Sequence, residues 1–226
     1  MTFSVVARDP GSGCFGVAIA TARPSVGARS AFARPGSGAC ATQAIVNPAL
    51  AGGALAALAG GDGATSALAS ALATDPDAAR RQVLLAGPDG TAAHTGAEVA
   101  GWAGHLTGTD VVVGGNLLAG AEPLHAMLAA FEETPGELAD RLLAALAAGD
   151  AAGGDRRGRE SAALLVVDTR AWPAVDLRVD HDPDPVTRLG ALLPRWRAHW
   201  TAYDVTGAFV PADPPGQPGR RPAVTP

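Results

Sequence analysis

The chain has 226 residues, 47% of them hydrophobic and 17% charged, which is enough apolar material for a packed core and too little charge for a disordered chain. Its formal net charge is −5 and all 17 basic residues are Arg; without Lys, a P-loop Lys, a Schiff-base Lys and a Ser-x-x-Lys nucleophile are excluded, and the acidic balance provides no broad basic footprint for nucleic acid. No apolar run approaches the roughly eighteen residues of a membrane span, and the start has no basic segment followed by an apolar one, so the expectation is a cytoplasmic protein with no membrane partner. Cys14 and Cys40 form no C-x-x-C and read as small buried residues. Composition shifts only near the end: residues 1–204 read as one domain and 205–226 as a Pro/Gly-rich tail with little expected order.

In chain order, "TFSVVAR" and "FGVAIAT" flank the turn residues "DPGSG" and predict a hairpin. On its second strand Phe15, Val17, Ile19 and Thr21 share one face, leaving Gly16, Ala18 and Ala20 as a bare face that a helix or ligand can approach closely. The "GSGCFG" here matches G-x-G-x-x-G, but a strand follows it instead of a helix and "ARSAFARPG" stands where the acidic partner belongs, so a dinucleotide site is rejected. Ala-rich helices are predicted near 49–60 and 64–73, then a turn capped by Asp75 with Pro76 first.

"QVLLAGPDGTAAHTG" predicts a second hairpin and "DVVVGGNLLAG" a further strand. Leu124, Met127, Leu128 and Phe131 keep helical spacing. Thr134, Pro135 and Glu137 read as a capping-box start for a helix whose stripe is Leu138, Leu142, Leu143 and Leu146. "SAALLVVDT" and "AVDLRVDHD" form a third hairpin, with Asp176, Arg178 and Asp180 on its polar face. Asp184 and Pro185 open a last helix with Val186, Leu189, Leu193, Trp196 and Trp200 on one side and Pro194 inside it. This order predicts a layered α+β fold with antiparallel sheets.

The sharpest chemical candidate is Thr2. Removal of Met1 would leave a hydroxyl and a free α-amine on one residue, and an α-amine with a pKa of about 7.7 to 8.0 is partly neutral at cell pH and can take the hydroxyl proton. Nucleophile and base are then the same residue.

The stretches "MTFSVVARDPGSGCFGVAIA", "GACATQAIVNP", "AAHTG", "WAGH", "GNLLAG" and above all "AAGGDRRGRESAALLVV" resemble the domain-of-unknown-function family 1028, which is similar in fold to N-terminal-nucleophile (Ntn) hydrolases. The likeness runs from Met1 to about Leu193. It implies a four-layer αββα sandwich, with the first hairpin in a central sheet and a residue near the N-terminus facing the cleft. By the same resemblance Thr2 matches the nucleophile position, and Gln43, Asn47, His94, Thr95, His105, Asn116, Asp155, Arg157 and Ser161 fall in matching motifs. Relatives often carry aromatic residues where this chain reads "ARPSVG", and Trp where it has Ile45, which implies an altered pocket. The proteasome-type Lys that tunes a Thr nucleophile is absent.

Each motif residue has a chemical and a structural reading. Asn116, at the end of an apolar strand, can hold an oxyanion through its amide or a neighbouring N–H, or can be a turn residue. His94 and His105 can be bases or ligands, yet their spacing fits no metal motif and both read better as structural histidines; no metal or other cofactor is expected. On the glycine-rich loop "GDAAGGDRRGRES", an Arg fork suits an anionic substrate group, or Asp–Arg pairs can stitch the loop together. Asp180, Asp182 and Asp184 can bind a cation, or mark a hairpin exit and a helix cap.

The leading expectation is a hydrolase of an amide or cyclic amide in a small, anionic molecule. Thr2, Asn116 and Asp155 are catalytic, while Gln43, Asn47, His94, Thr95, His105, Arg157 and Ser161 contact the substrate. The alternatives are a metabolite-binding protein on the same fold and a structural homo-oligomer; a homodimer or higher assembly is expected in any case.

Overall fold

The computed structural model describes residues 2–154 and 158–204. The first hairpin forms as its alternation predicts: β1 (Thr2–Asp9) pairs antiparallel with β2 (Cys14–Thr21), Val6 opposite Val17. Asp9 closes the turn by accepting from the Gly11 N–H at 3.0 Å and the Ser12 hydroxyl at 2.6 Å. The bare face of β2 receives a helix, since a Cβ built on Gly16 would lie 2.6 Å from Leu142 Cδ1.

Four further strands complete an antiparallel six-stranded sheet: β7 (Trp102–Gly108), β8 (Val111–Leu118), β9 (Ser161–Val167) and β10 (Val175–Val179), in the order β10-β9-β2-β1-β8-β7. A second antiparallel sheet has the order β3-β4-β5-β6, from β3 (Ala31–Arg34), β4 (Gly38–Ala44), β5 (Arg81–Gly87) and β6 (Gly90–Thr95). Six helices accompany them among the described residues: α1 (Gly27–Ser30), α2 (Pro48–Ala59), α3 (Ala64–Ala73), α4 (Glu122–Glu133), α5 (Leu138–Ala151) and α6 (Pro185–Asp204).

Three apolar clusters hold these elements together. Val6, Val17, Ile19 and Val112 of the larger sheet meet Ala39, Ala41, Leu84 and Ala86 of the smaller one. Phe3, Val5, Ala18 and Leu164, on the opposite face of the larger sheet, pack on Met127, Phe131, Leu142, Leu146 and Leu189 of α4, α5 and α6. Cys40, Val83 and Leu85, on the outer face of the smaller sheet, pack on Leu50, Leu55, Leu58 and Leu68 of α2 and α3. The result is an α+β sandwich. No helix among the described residues is long and apolar enough to cross a membrane.

Several local expectations change. Strands β3, β4 and β7 carry no clear sequence signal, because the first two are dominated by small residues and β7 is an edge strand holding two glycines. Their strand state comes from pairing with neighbours. The capping box at Thr134 does not form: Thr134 closes α4, Gly136 takes φ +108°, and α5 begins after Glu137 with no side-chain cap. The Glu137 carboxylate instead accepts from Arg197 of α6 at 2.7 Å. In α6 Leu189 and Leu193 are buried as expected, whereas Trp200 stays 41% exposed beside Trp196. Pro194 lies inside the helix.

Candidate functional site

Strand parity decides where polar side chains gather. On the larger sheet Val6, Val17, Val112 and Ala163 face the smaller sheet, so Thr2, Ser4, Thr21, Asn116 and Ser161 share that face. Register aligns four of them in a row across adjacent strands: Ser161 opposite Thr21, Thr21 opposite Thr2, and Thr2 opposite Asn116. On the smaller sheet the same parity turns Gln43, Gln82 and Thr95 inward, Gln82 paired with both of the others. The inter-sheet space is therefore apolar along most of its length and polar at one end.

At that end the buried amides satisfy one another. The Ser4 hydroxyl donates to Gln43 Oε1 at 2.9 Å, and Gln43 Nε2 donates to Gln82 Oε1 at 2.8 Å. Gln82 Oε1 also accepts from Asn116 Nδ2 at 3.1 Å. Gln82 Nε2 lies 2.9 Å from Thr95 Oγ1 and the Gly104 carbonyl and 3.0 Å from the Gly115 carbonyl. Ser4, Gln43 and Gln82 are wholly buried, so each unmade bond would carry a desolvation penalty. Thr95 Oγ1 continues the chain to His105 Nδ1 at 2.9 Å. Partial burial, then the nearby His94, holds the His105 imidazole below its usual pKa, which favours the neutral ring.

Above this network opens a cavity of about 410 Å³, in the lower part of the range for small-molecule sites. Thr2, Thr21 and Asn116 line it from the larger sheet. The segment from Arg23 to Ser30 and the residues Ala44, Ile45 and Val46 form two walls, and Arg80, Glu98, Val99, Ala100 and Leu117 complete it. Thr2 Oγ1 and Thr21 Oγ1 are hydrogen-bonded at 3.0 Å.

Among the described residues, three of the four non-glycine positions with positive φ line this one cavity: Ser25 at +56°, Ala44 at +67° and Leu117 at +58°. For Ala and Leu that conformation is unfavourable by roughly 1 to 2 kcal/mol, and such strain concentrates at functional sites. The surroundings hold two of the three strained segments in place. The Ser161 hydroxyl donates to the Arg23 carbonyl at 2.6 Å and accepts from the Val26 N–H at 3.0 Å. Arg81 Nη1 donates to the Ile45 carbonyl at 2.8 Å, while its Nε is paired with Asp75 at 2.9 Å.

The sequence candidates separate into three groups. Thr2 and Asn116 line the cavity; Gln43, Thr95 and His105 belong to the network beneath it; Ser161 holds the Arg23–Val26 wall from behind. Asn47 and His94 lie elsewhere. Asn47 caps α2, accepting from the Ala49 N–H at 3.1 Å and donating to Asp75 at 2.8 Å, and His94 Nε2 bonds the Ala78 carbonyl at 2.8 Å. Asp155 and Arg157, like Met1 and the 205–226 tail, lie outside the described residues. Beside them Arg159 is ion-paired with Asp150 at 2.5 Å, the stitched-loop arrangement.

Asp182 accepts from the Asp184 N–H at 2.8 Å and from Arg188 at 3.2 Å, the geometry of a helix entry. No group of three or more His, Cys, Asp or Glu among the described residues could hold a metal ion. Burial pushes the Cys40 thiol up to about 12, which makes it a poor nucleophile.

Sequence reasoning missed Arg23, Arg29, Arg80 and Gln82. Arg23 follows a β-strand end by two residues and precedes Pro24, a loop signal at the C-terminal edge of a sheet. Arg80 and Gln82 carry no motif at all; only strand order brings them to the site.

A model described as a family of unknown function, DUF1028, matches residues 2–189. The crystal structure of a DUF1028 protein from Silicibacter pomeroyi is similar with a TM-score of 0.82 and 32% sequence identity, covering 88% of this chain and 89% of that one. No curated protein matches the chain. A family match over most of the chain, joined to a shared fold over nearly its whole length, makes this protein a member of the DUF1028 family.

Proposed function

We propose that the protein is an Ntn-type hydrolase of an amide or cyclic amide in a small anionic molecule, on a four-layer αββα sandwich. One observation carries the reading: the Thr2 hydroxyl, on the first residue of a central strand, lines the cavity directly beside Asn116. With Met1 removed, the Thr2 α-amine takes the hydroxyl proton as Oγ1 attacks the substrate carbonyl carbon. Asn116 Nδ2 directs one hydrogen to Gln82, which leaves the other for the developing oxyanion. The tetrahedral intermediate collapses by expelling the amine, which takes its proton from the α-ammonium, and water then hydrolyses the Thr2 ester. The outward position of α4, α5 and α6 on one sheet and of α2 and α3 on the other supports the layered Ntn-like arrangement.

A second reading, a metabolite-binding protein with the same cavity, is favoured by one observation. Among the described residues the Thr2 hydroxyl is bonded only to that of Thr21, and no carboxylate or imidazole reaches it.

Intact mass of the purified protein separates the two. Loss of Met1, adduct formation at Thr2 with a β-lactone probe, and loss of that adduct in Thr2→Ala but not Thr2→Ser support the hydrolase. Retained Met1, or an adduct elsewhere, sinks it.

A further inference from the structure

Arg23, Arg29 and Arg80 all line the one cavity, and none of their side chains has a hydrogen bond or ion pair with a described residue. Seven other guanidiniums, among them Arg8 with Asp110 and Arg178 with Asp180, each meet an Asp, and of the remaining described arginines Arg141 stacks on Phe131 while Arg34 and Arg195 stand apart from one another outside the cavity. Glu98 is the single acid lining the cavity among the described residues. Arg is charged at every accessible pH, so three guanidiniums against one carboxylate leave two positive charges without a counter-ion among the described residues. In a concave site on a protein of net charge −5, that charge is a local field and not part of a general basic surface.

We infer that the ligand of this cavity is a compact dianion, a small dicarboxylate that carries the amide, with its carboxylates held by Arg23, Arg29 and Arg80. The inference rests on the cavity being the substrate site, and it concerns what binds there, not the chemistry at Thr2. The guanidinium fork matches a carboxylate in a bidentate manner, whereas the wall residues Ile45 and Val46 suit an apolar spacer between charged ends. Ile45 is 47% exposed, an apolar side chain facing the opening without cover.

Calorimetric titration of the full chain with matched probes tests this. Glutarate is set against glutaramate, and N-acetylglutamate against N-acetylglutamine; each pair is nearly equal in shape and differs by one negative charge. At least one dianion should bind tenfold or more tightly than its monoanionic partner. Arg23→Gln, Arg29→Gln and Arg80→Gln, combined in one chain with an unchanged melting temperature, should bring that ratio below threefold. A ratio below threefold for both pairs in the wild type, including the case in which no probe binds at 10 mM, overturns the inference. So does a preference that persists in the triple variant. A dianion preference with no Thr2 adduct keeps the ligand class and removes catalysis, while an adduct without the preference does the reverse.

Discussion

Gln82 Oε1 accepts from Asn116 Nδ2 at 3.1 Å, tying an interior strand of the smaller sheet to the floor of the cavity on the larger one. The same oxygen accepts from Gln43, so one buried amide joins three strands.

Replacing that amide should be severe. Gln82→Ala leaves Gln43, Asn116, Thr95 and two backbone carbonyls short of a partner, at roughly 1 to 3 kcal/mol for each group left unsatisfied. Urea unfolding is expected to show a loss above about 3 kcal/mol. A loss under about 1 kcal/mol would mean that water or a rearranged Gln43 replaces the amide.

Ser161→Ala tests the cavity wall. It removes a donor to Arg23 and an acceptor for Val26, and should destabilise the protein by about 1 to 2 kcal/mol. The informative signal is local: the Val26 amide should exchange with solvent much faster, while Val5 and Val113 of the central strands keep their protection. Unchanged exchange at Val26 would show that the wall stands without Ser161.

Asp75 supplies an acid-sensitive prediction. Hydrogen bonds from Arg81 and then Asn47 hold its carboxyl at about 2, below the ordinary 3.8. A depressed carboxyl stabilises the fold above the unfolded value, and that contribution disappears as pH falls from 3.8 towards 2. Wild-type stability should drop through this window more steeply than that of Asp75→Asn. At neutral pH the variant should be weaker by about 2 to 4 kcal/mol, because buried Arg81 keeps only the more distant, exposed carboxylate of Asp77 at 3.4 Å. Parallel acid limbs in the two proteins would refute the assignment.

Ala44→Gly relieves strain and should raise stability by up to about 1 kcal/mol, since φ +67° is unfavourable for Ala and free for Gly. Gly also loosens the wall, so affinity for the dianionic probes should fall even as the melting temperature rises. A variant less stable than wild type would show that the Ala44 methyl contributes packing that outweighs the strain.

Much of the frame is readable without tertiary information. The three hairpins, the Asp9 turn, the bare face of β2 that admits Leu142, and the Leu138–Leu142–Leu146 stripe follow from side-chain period and turn chemistry, both of which act over a few residues. Thr2 and Asn116 are also recoverable as candidates, one from its position after Met1 and the other from ending an apolar strand. What local pattern does not contain is who sits beside whom. Thr2 meets Asn116 because β8 pairs with β1 and not with another strand, and Ser161 reaches Arg23 because β9 lies next to β2. Thr134 fails as a cap because Glu137 finds Arg197, a partner on a helix that lies later in the chain. The cavity's arginines, which look like ordinary surface charge in the sequence, come to line one cavity only when two sheets close over a polar end; strand order and register are set by burial summed over the whole chain, and no single segment encodes them.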